Sequence, residues 1–378
     1  MSKVLFSGSF DPITNGHMDI IFRLLKMYDL VYVAIAVNPK KTYMFSESER
    51  INFISSQIPF DLKGRVIINL VSGLIVEYAY ENGITTIARG IRNSSDFENE
   101  LSMANINREL GDIDTICLPT KPELAEVSSS NVKAIAKEFG DISKYVSLRV
   151  KHNIEHKNGI GFISMVGGSG VGKSTLISSL YGEALTFSKY DLYHIDMDRL
   201  AHAVYESNSP YTITVKRHLI DVFGSDVVSS DGNVNRKVLG GIVFNDKNAL
   251  NALNYIMSRP MKHLLYNRLK EIPDGNNRIV ILDGAVIAEN GSLGMSNNNV
   301  INVYCNPDIA AARIMRRDNL TELQAYNRIN SQISNTTRLN IINTEIASHD
   351  YGRCITVNTD DTLNAEDIFS SLIEMVTP

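Results

Sequence analysis

Two doubly wound α/β domains in tandem are what this sequence predicts, and three observations carry the prediction. Short β-branched apolar runs alternate with amphipathic stretches along the chain, the pattern of parallel sheets covered by helices. At 378 residues the chain exceeds one ordinary core. A complete Gly-x-x-x-x-Gly-Lys-Ser phosphate-binding loop spans Gly167, Gly168, Ser169, Gly170, Val171, Gly172, Lys173, Ser174 and Thr175. Such a loop ordinarily follows the first strand of its own domain. Here it follows the apolar run 160–166, so a whole domain precedes it.

In that first domain, strands are expected at 4–6, 30–37, 66–70, 84–88 and 114–118, and helices at 16–27, 46–58, 74–81, 96–110 and 129–138. Ser46 with Glu49 forms a capping box that opens the second helix. Gly140 suits a helix C-terminus, and 141–157 reads as a final helix. The polar stretch 156–159 is the linker, which sets the domains at 1–157 and 158–378. The second domain is expected to carry strands at 161–166, 192–195, 279–283, 300–304 and 354–357. Pro260 falls in a long helical stretch that it should kink or divide. The Asn-rich run 290–299 reads as a loop, and the halves share no internal repeat.

Composition narrows the function. The chain is 44% hydrophobic and 21% charged, with net charge −5; a mildly acidic surface argues against nucleic acid as a partner. No segment is long and apolar enough to span a bilayer, so no membrane role is expected. Cys117, Cys305 and Cys354 have neither metal nor disulfide spacing, and Cys117 and Cys305 read as buried small hydrophobes. The first apolar run leads straight into a Gly turn, which leaves no room for a leader. A cytoplasmic location is the expectation.

The phosphate-binding loop dictates its own chemistry. Its glycines let backbone N–H groups converge on phosphate oxygens, and the helix that follows adds its positive end. Lys173 should reach the β- and γ-phosphates of ATP and Ser174 should ligate Mg²⁺. Asp196 and Asp198 end a strand, where a carboxylate can take a proton from an acceptor hydroxyl. Residues two apart in a strand point the same way, so both could face the loop; alternatively, Asp198 caps a helix beginning at Arg199. Asp283 ends another strand and could hold Mg²⁺ through water. Arg313, Arg316 and Arg317 share a helix and read either as a lid over the transferred phosphate or as a solvated face.

The first domain has a constellation of its own. Ser9, Phe10, Asp11, Pro12, Ile13, Thr14, Asn15, Gly16 and His17 follow its first strand, with Gly16-His17 opening a helix. Lys40 and Lys41 follow the second strand, Arg89, Gly90, Ile91 and Arg92 the fourth, and Ser128, Ser129 and Ser130 the fifth. Ligands bind at C-terminal strand ends in open parallel sheets, and these groups suit a polyphosphate.

With these motifs, joined by Met44-Phe45, Asp96-Phe97-Glu98 and Glu100, residues 1–157 resemble bacterial phosphopantetheine adenylyltransferase. The resemblance implies a Rossmann-like nucleotidyltransferase fold. It implies that Ser9, Lys41, Ile75 and Arg89 contact 4′-phosphopantetheine. Ser9, Phe10, His17, Gly90, Ile91, Arg92 and Glu100 would contact ATP, as would Leu124, Ala125, Glu126, Val127, Ser128, Ser129 and Ser130. His17 would stabilise the transition state, with Lys41 as a second catalytic group. The segment 124–127 lacks the aromatic often found there. Residues 158–378 resemble dephospho-CoA kinase, a P-loop kinase, through 195–202, 231–240, Val243-Phe244, Ile256-Met257 and 281–286 with Glu289. That resemblance picks Asp198 as catalytic base. Arg259 and Ala285 stand where many members differ, and the likeness fades after Arg338.

Together the resemblances imply two consecutive reactions. ATP and 4′-phosphopantetheine would give dephospho-CoA and pyrophosphate; the ribose 3′-hydroxyl would then be phosphorylated to give CoA. They imply Mg²⁺, ATP as co-substrate, and homo-oligomers through the adenylyltransferase domain. Two alternatives stay open: a nicotinate-mononucleotide-type adenylyltransferase fused to a nucleoside kinase, and a kinase-like domain that binds nucleotide for a regulatory or scaffold role.

Overall fold

The computed structural model describes the chain apart from residues 126, 187–188, 207–209, 244–245, 276 and 362 and the side chains of 210 and 247. Glu126 and Phe244, both singled out above, therefore lie outside the described residues. The chain separates into two compact units, Met1–Lys157 and Asn158–Pro378.

The first unit runs β1 (Lys3–Gly8), α1 (Asn15–Leu24), β2 (Leu30–Val37), α2 (Glu47–Ser55), β3 (Val66–Ser72), α3 (Ile75–Glu81), β4 (Thr86–Ile91), α4 (Ser94–Gly111), β5 (Asp114–Pro119), α5 (Ser129–Lys137) and α6 (Leu148–Lys157). Its sheet is parallel, in the order β3-β2-β1-β4-β5. Successive strand residues face opposite sides. Val4, Phe6, Val31, Val33 and Ile35 enter one apolar cluster, and Leu5, Tyr32 and Ala34 enter another. Both faces are thereby covered, and the strand ends are left as the place for chemistry. Ser46 caps α2, and its box with Glu49 is formed.

Two expectations shift here. The fourth strand pairs from Thr86, not from Ile84, because the Ile84 N–H donates to the Ala79 carbonyl and stays tied to the end of α3. The final helix begins at Leu148 rather than 141. Before it, the Lys144 carbonyl accepts from Asn15 Nδ2 and the Tyr145 carbonyl from Asn15 N. Those acceptors serve the start of α1 instead of a local helical turn.

The second unit runs β6 (Ile160–Val166), α7 (Lys173–Thr186), β7 (Asp191–Asp196), α8 (Met197–Glu206), α9 (Pro210–Phe223), α10 (Arg236–Val243), α11 (Lys247–Lys270), β8 (Arg278–Asp283), β9 (Asn299–Tyr304), α12 (Pro307–Asp318), α13 (Glu322–Asn330), α14 (Asn335–His349), β10 (Arg353–Asn358) and α15 (Ala365–Val376). The parallel order is β10-β9-β6-β8-β7. Ile163 and Met165 of the central strand pack with Leu176 and Leu180 of α7 and Phe369 and Leu372 of α15.

Pro260 does not divide α11. Proline removes one helical donor, but Ile256, Met257, Met261 and Leu264 around it all pack into one cluster with Val204, Val215 and Leu219. That shared burial outweighs a single hydrogen bond. The Asn-rich run is a loop up to Asn298, with one short 3-10 turn at Leu293–Ser296, but its end is buried. Asn297 and Asn298 are buried in left-handed backbone, and Asn299 already belongs to β9. Asn298 Nδ2 donates to the Glu345 carbonyl at 3.1 Å, and Asn299 Nδ2 to the Met375 carbonyl at 2.8 Å. Asparagine tolerates that backbone and its amide satisfies inward carbonyls.

Candidate active sites

In the first unit, β1 delivers the chain into the loop 9–14, and Thr14 caps α1. His17 occupies the capping-box position usual for Glu or Gln: its Nδ1 lies 3.1 Å from Thr14 N and 3.0 Å from Thr14 Oγ1. A backbone N–H can only donate, so Nδ1 is the acceptor and the neutral ring carries its proton on Nε2. The ring packs edge-on against Phe10, centroids 5.2 Å apart, with Phe6 at 6.4 Å. Burial, then the charges of Arg92 and Arg89, lowers its pKa to about 4. His17 is thus a fixed, neutral Nε2–H donor.

Other parts of the chain are tied to this corner. Arg89 Nη1 donates to the Ser7 carbonyl at 2.7 Å, and its Nε and Nη2 form a fork to Glu100 at 2.5 and 2.7 Å. Glu100, expected at ATP, has both oxygens on Arg89 and holds that guanidinium in place. Arg92 pairs with Asp96 at 2.7 Å. A Cβ on Gly16 would lie 3.8 and 3.9 Å from the carbonyls of Leu124 and Val127, and Ser129 Oγ donates to the Pro12 carbonyl at 2.7 Å. The 124–130 segment therefore meets the loop after β1. Ser128 caps α5 and Ser130 is exposed. Lys41 is exposed on the loop after β2, and Ile75 opens α3 beyond the edge strand β3.

Two residues assemble this corner; sequence reasoning gave Asp11 a place but no role, and passed over Arg50. Asp11 is buried; its carboxylate accepts from Met44 N and Phe45 N and pairs with Lys133 Nζ at 2.7 Å. Arg50, 1% exposed, donates to the Ser9 carbonyl at 2.9 Å beneath the Tyr43 ring. Buried charges are seldom left unpaired. For Asp11 the available signal was the only charge in the loop 9–14. For Arg50 it was a charge on the apolar side of α2.

In the second unit, the phosphate-binding loop bridges β6 and α7. Gly170 has φ +78°, and a Cβ there would sit 2.6 Å from the Ala310 carbonyl, so only glycine fits. Lys173 Nζ lies 3.0 Å from the Gly167 carbonyl and 3.9 Å from Asp283 Oδ1. Asp283 Oδ2 is 3.5 Å from His194 Nε2, and its buried Oδ1 has no hydrogen-bond partner among the described residues.

The two neighbouring aspartates have different tasks. Asp196 Oδ1 accepts from Arg199 N at 2.8 Å, which makes Asp196 the cap of α8. Asp198 lies in the first helical turn, so the two do not share a strand face. Its carboxylate instead accepts from Ala285 N at 3.3 Å. Loss of water around the carboxyl pushes its pKa up; the Ala285 N–H and Lys173 oppose this, while Asp196 and Asp283 reinforce it. Asp198 is thus freed from capping and made more basic than an ordinary aspartate.

Arg313 departs from the lid reading. Its guanidinium donates to Thr359 Oγ1 at 2.9 Å, to the Thr359 carbonyl at 2.7 Å and to the Gly170 carbonyl at 3.4 Å, while Thr359 Oγ1 donates to the Val171 carbonyl at 2.6 Å. The pair grips the Gly170 and Val171 carbonyls of the loop. Arg316 is exposed, and Arg317 pairs with Asp318 at 2.8 Å.

These sites define a nucleotidyltransferase and a P-loop kinase carried by one polypeptide. Residues 161–349, half of the chain, match the dephospho-CoA kinase family model, and residues 5–135 match the cytidylyltransferase-like model. The phosphopantetheine adenylyltransferase of Cutibacterium acnes is 42% identical over 144 residues, covering 38% of this chain and 90% of that protein. The enzyme of the same name from Alkaliphilus metalliredigens is 44% identical over 148 residues, covering 39% and 92%. A solved dephospho-CoA kinase from Campylobacter jejuni aligns with 58% of this chain and 97% of its own at 18% identity and a TM-score of 0.32; a likeness that weak adds nothing to the family matches. The chain belongs to the phosphopantetheine adenylyltransferases through its first unit and to the dephospho-CoA kinases through its second.

Proposed function

We propose that this chain catalyses the last two steps of coenzyme A formation. In the first unit the phosphate of 4′-phosphopantetheine attacks the α-phosphorus of ATP, giving dephospho-CoA and pyrophosphate. The neutral His17 Nε2–H donates to the phosphate oxygens as charge builds in the transition state. Ser9, Lys41, Ile75 and Arg89 hold the acceptor; Phe10, Gly90, Ile91, Arg92 and the 124–130 segment hold ATP. In the second unit Asp198 takes the proton of the ribose 3′-hydroxyl as that oxygen attacks the γ-phosphorus of a second ATP. Lys173 and the loop N–H groups bind the phosphates, and Arg316 and Arg317 close over them.

Mg²⁺ suits the second site. Ser174 Oγ and Asp283 Oδ1, which has no hydrogen-bond partner among the described residues, are hard oxygen donors, and Mg²⁺ completes its shell with phosphate oxygens and water. Bound there, it would neutralise charge on the β- and γ-phosphates.

One observation carries the proposal: the product expected of the first unit is the substrate expected of the second, within one chain. Lys173, Asp198 and Asp283 stand together as turnover requires, which disfavours the scaffold reading. Purified chain given 4′-phosphopantetheine, ATP and Mg²⁺ should yield dephospho-CoA and then CoA by mass; absence of either product refutes the corresponding half.

The chain is proposed to self-associate through its first unit. None of the 18 residues of α4 is buried, and Phe97, Leu101, Met103, Ile106 and Leu110 are exposed apolar residues. Sedimentation should show an oligomer that Leu101→Lys with Ile106→Lys dissociates; a monomeric parent chain refutes this. No helix among the described residues is long and apolar enough to cross a membrane. A cytoplasmic site of action is proposed, where three free cysteines are at home.

A further inference from the structure

The conspicuous hydrogen bond on the phosphate-binding loop comes from a residue outside every motif considered above. Ser169 N donates to Gln332 Oε1 at 2.8 Å. A Cβ on Gly168 would come within 3.2 Å of the same oxygen, so the glutamine lies over the first half of the loop. Lys173 Nζ sits on the Gly167 carbonyl at 3.0 Å. Since that lysine serves the β- and γ-phosphates, residues 167–169 form the terminal-phosphate end of the loop.

The amide's orientation follows from its partner. A backbone N–H can only donate, so the atom facing Ser169 is oxygen and the NH₂ group points elsewhere. Nε2 has no other partner among the described residues. Its support is firm: Gln332 N donates to the Ile329 carbonyl at 3.1 Å, and Asp318 accepts from both Arg317 and Arg328, which ties α12 to α13 just ahead of it.

We propose that Gln332 is a γ-phosphate ligand of the kinase site: Oε1 anchors the loop through Ser169, and Nε2 donates to an oxygen of the terminal phosphate. The inference rests on reading the second unit as an ATP-dependent kinase. It adds a group that distinguishes nucleoside triphosphate from diphosphate.

The test uses the full chain and the 3′-phosphorylation of added dephospho-CoA, with ADP as product inhibitor, so that only the second site is read. Gln332→Glu keeps an acceptor for Ser169 N–H but replaces the donors with a negative oxygen. It should lower kcat/KM for ATP by about 10²–10³ and leave the inhibition constant of ADP within about threefold. Gln332→Met removes the donors without adding charge and should lower kcat/KM for ATP by about tenfold, again sparing ADP; it carries the test if the Glu variant fails to fold. Equal weakening of ATP and ADP would make Gln332 a loop prop and overturn the proposal, as would wild-type kinetics in either variant. A parent chain that cannot phosphorylate dephospho-CoA would remove the kinase reading itself, and the proposal with it.

Discussion

His17 and Asp198 show how one residue's neighbours fix its chemistry. For His17, the Thr14 N–H on Nδ1 selects the tautomer, and burial beside two arginines keeps the ring neutral. Because its pKa is depressed from 6.5 to about 4, the folded site binds fewer protons than the unfolded chain between those values. This contribution to stability is full above pH 6.5 and is lost as pH falls toward 4. In kcat/KM for adenylyl transfer, any His17 limb should appear near pH 4, and none near 6.5. His17→Ala should slow pyrophosphate release by about 10²–10³ while sparing the kinase; near wild-type release would make the histidine structural. For Asp198, asparagine is nearly isosteric but a poor base. Asp198→Asn should bind ATP yet lose turnover by about 10²–10⁴. Asp196→Asn, an equally good cap, should keep most activity. If these two variants behave alike, the division between cap and base is wrong.

At the scale of elements, period and punctuation made the alternating strands and helices legible. The five strands of the second unit fall within two residues of their expected bounds. Strand order was not legible, since it depends on which faces pack across the sheet. The Asn-rich run was legible as a loop, but its burial was not: asparagine there also solves a buried backbone problem between β9 and α14. The candidate site was legible where glycines, lysine and helix starts form a motif. It was illegible where function depends on distant partners: Arg313 on Thr359, Glu100 on Arg89 and Asp11 on Lys133 are separated by at least 11 residues. Gly352 offers a test of the buried turn. It has φ +113°, and a Cβ there would lie 2.4 Å from Asn298 Cβ. Gly352→Ala should destabilise the second unit by about 1–3 kcal/mol, read as a lower denaturant midpoint; an unchanged midpoint would mean that the Asn298 turn yields easily.

For the whole molecule, the decisive property is that the groups proposed for each reaction all come from one unit. His17, Arg89, Arg92 and the 124–130 segment all come from Met1–Lys157, while Lys173, Asp198 and Asp283 all come from Asn158–Pro378. Damage to one set should therefore leave the other reaction running. Lys173→Ala removes the cation that stands between the Gly167 carbonyl and Asp283 and, with it, the charge proposed to meet the β- and γ-phosphates. CoA formation should stop, adenylyl transfer should continue, and dephospho-CoA should accumulate to the limit set by pyrophosphate. His17→Ala should give the complementary pattern: dephospho-CoA from 4′-phosphopantetheine slowed by about 10²–10³, but normal CoA formation from dephospho-CoA added directly. Mixing the two variants should restore CoA formation after a lag, because an intermediate released by one chain is an ordinary substrate for the other. If Lys173→Ala still makes CoA, the assignment of the second site fails. If each variant keeps its remaining activity but the mixture makes no CoA, the intermediate never leaves the chain that formed it, and the two reactions are not independent.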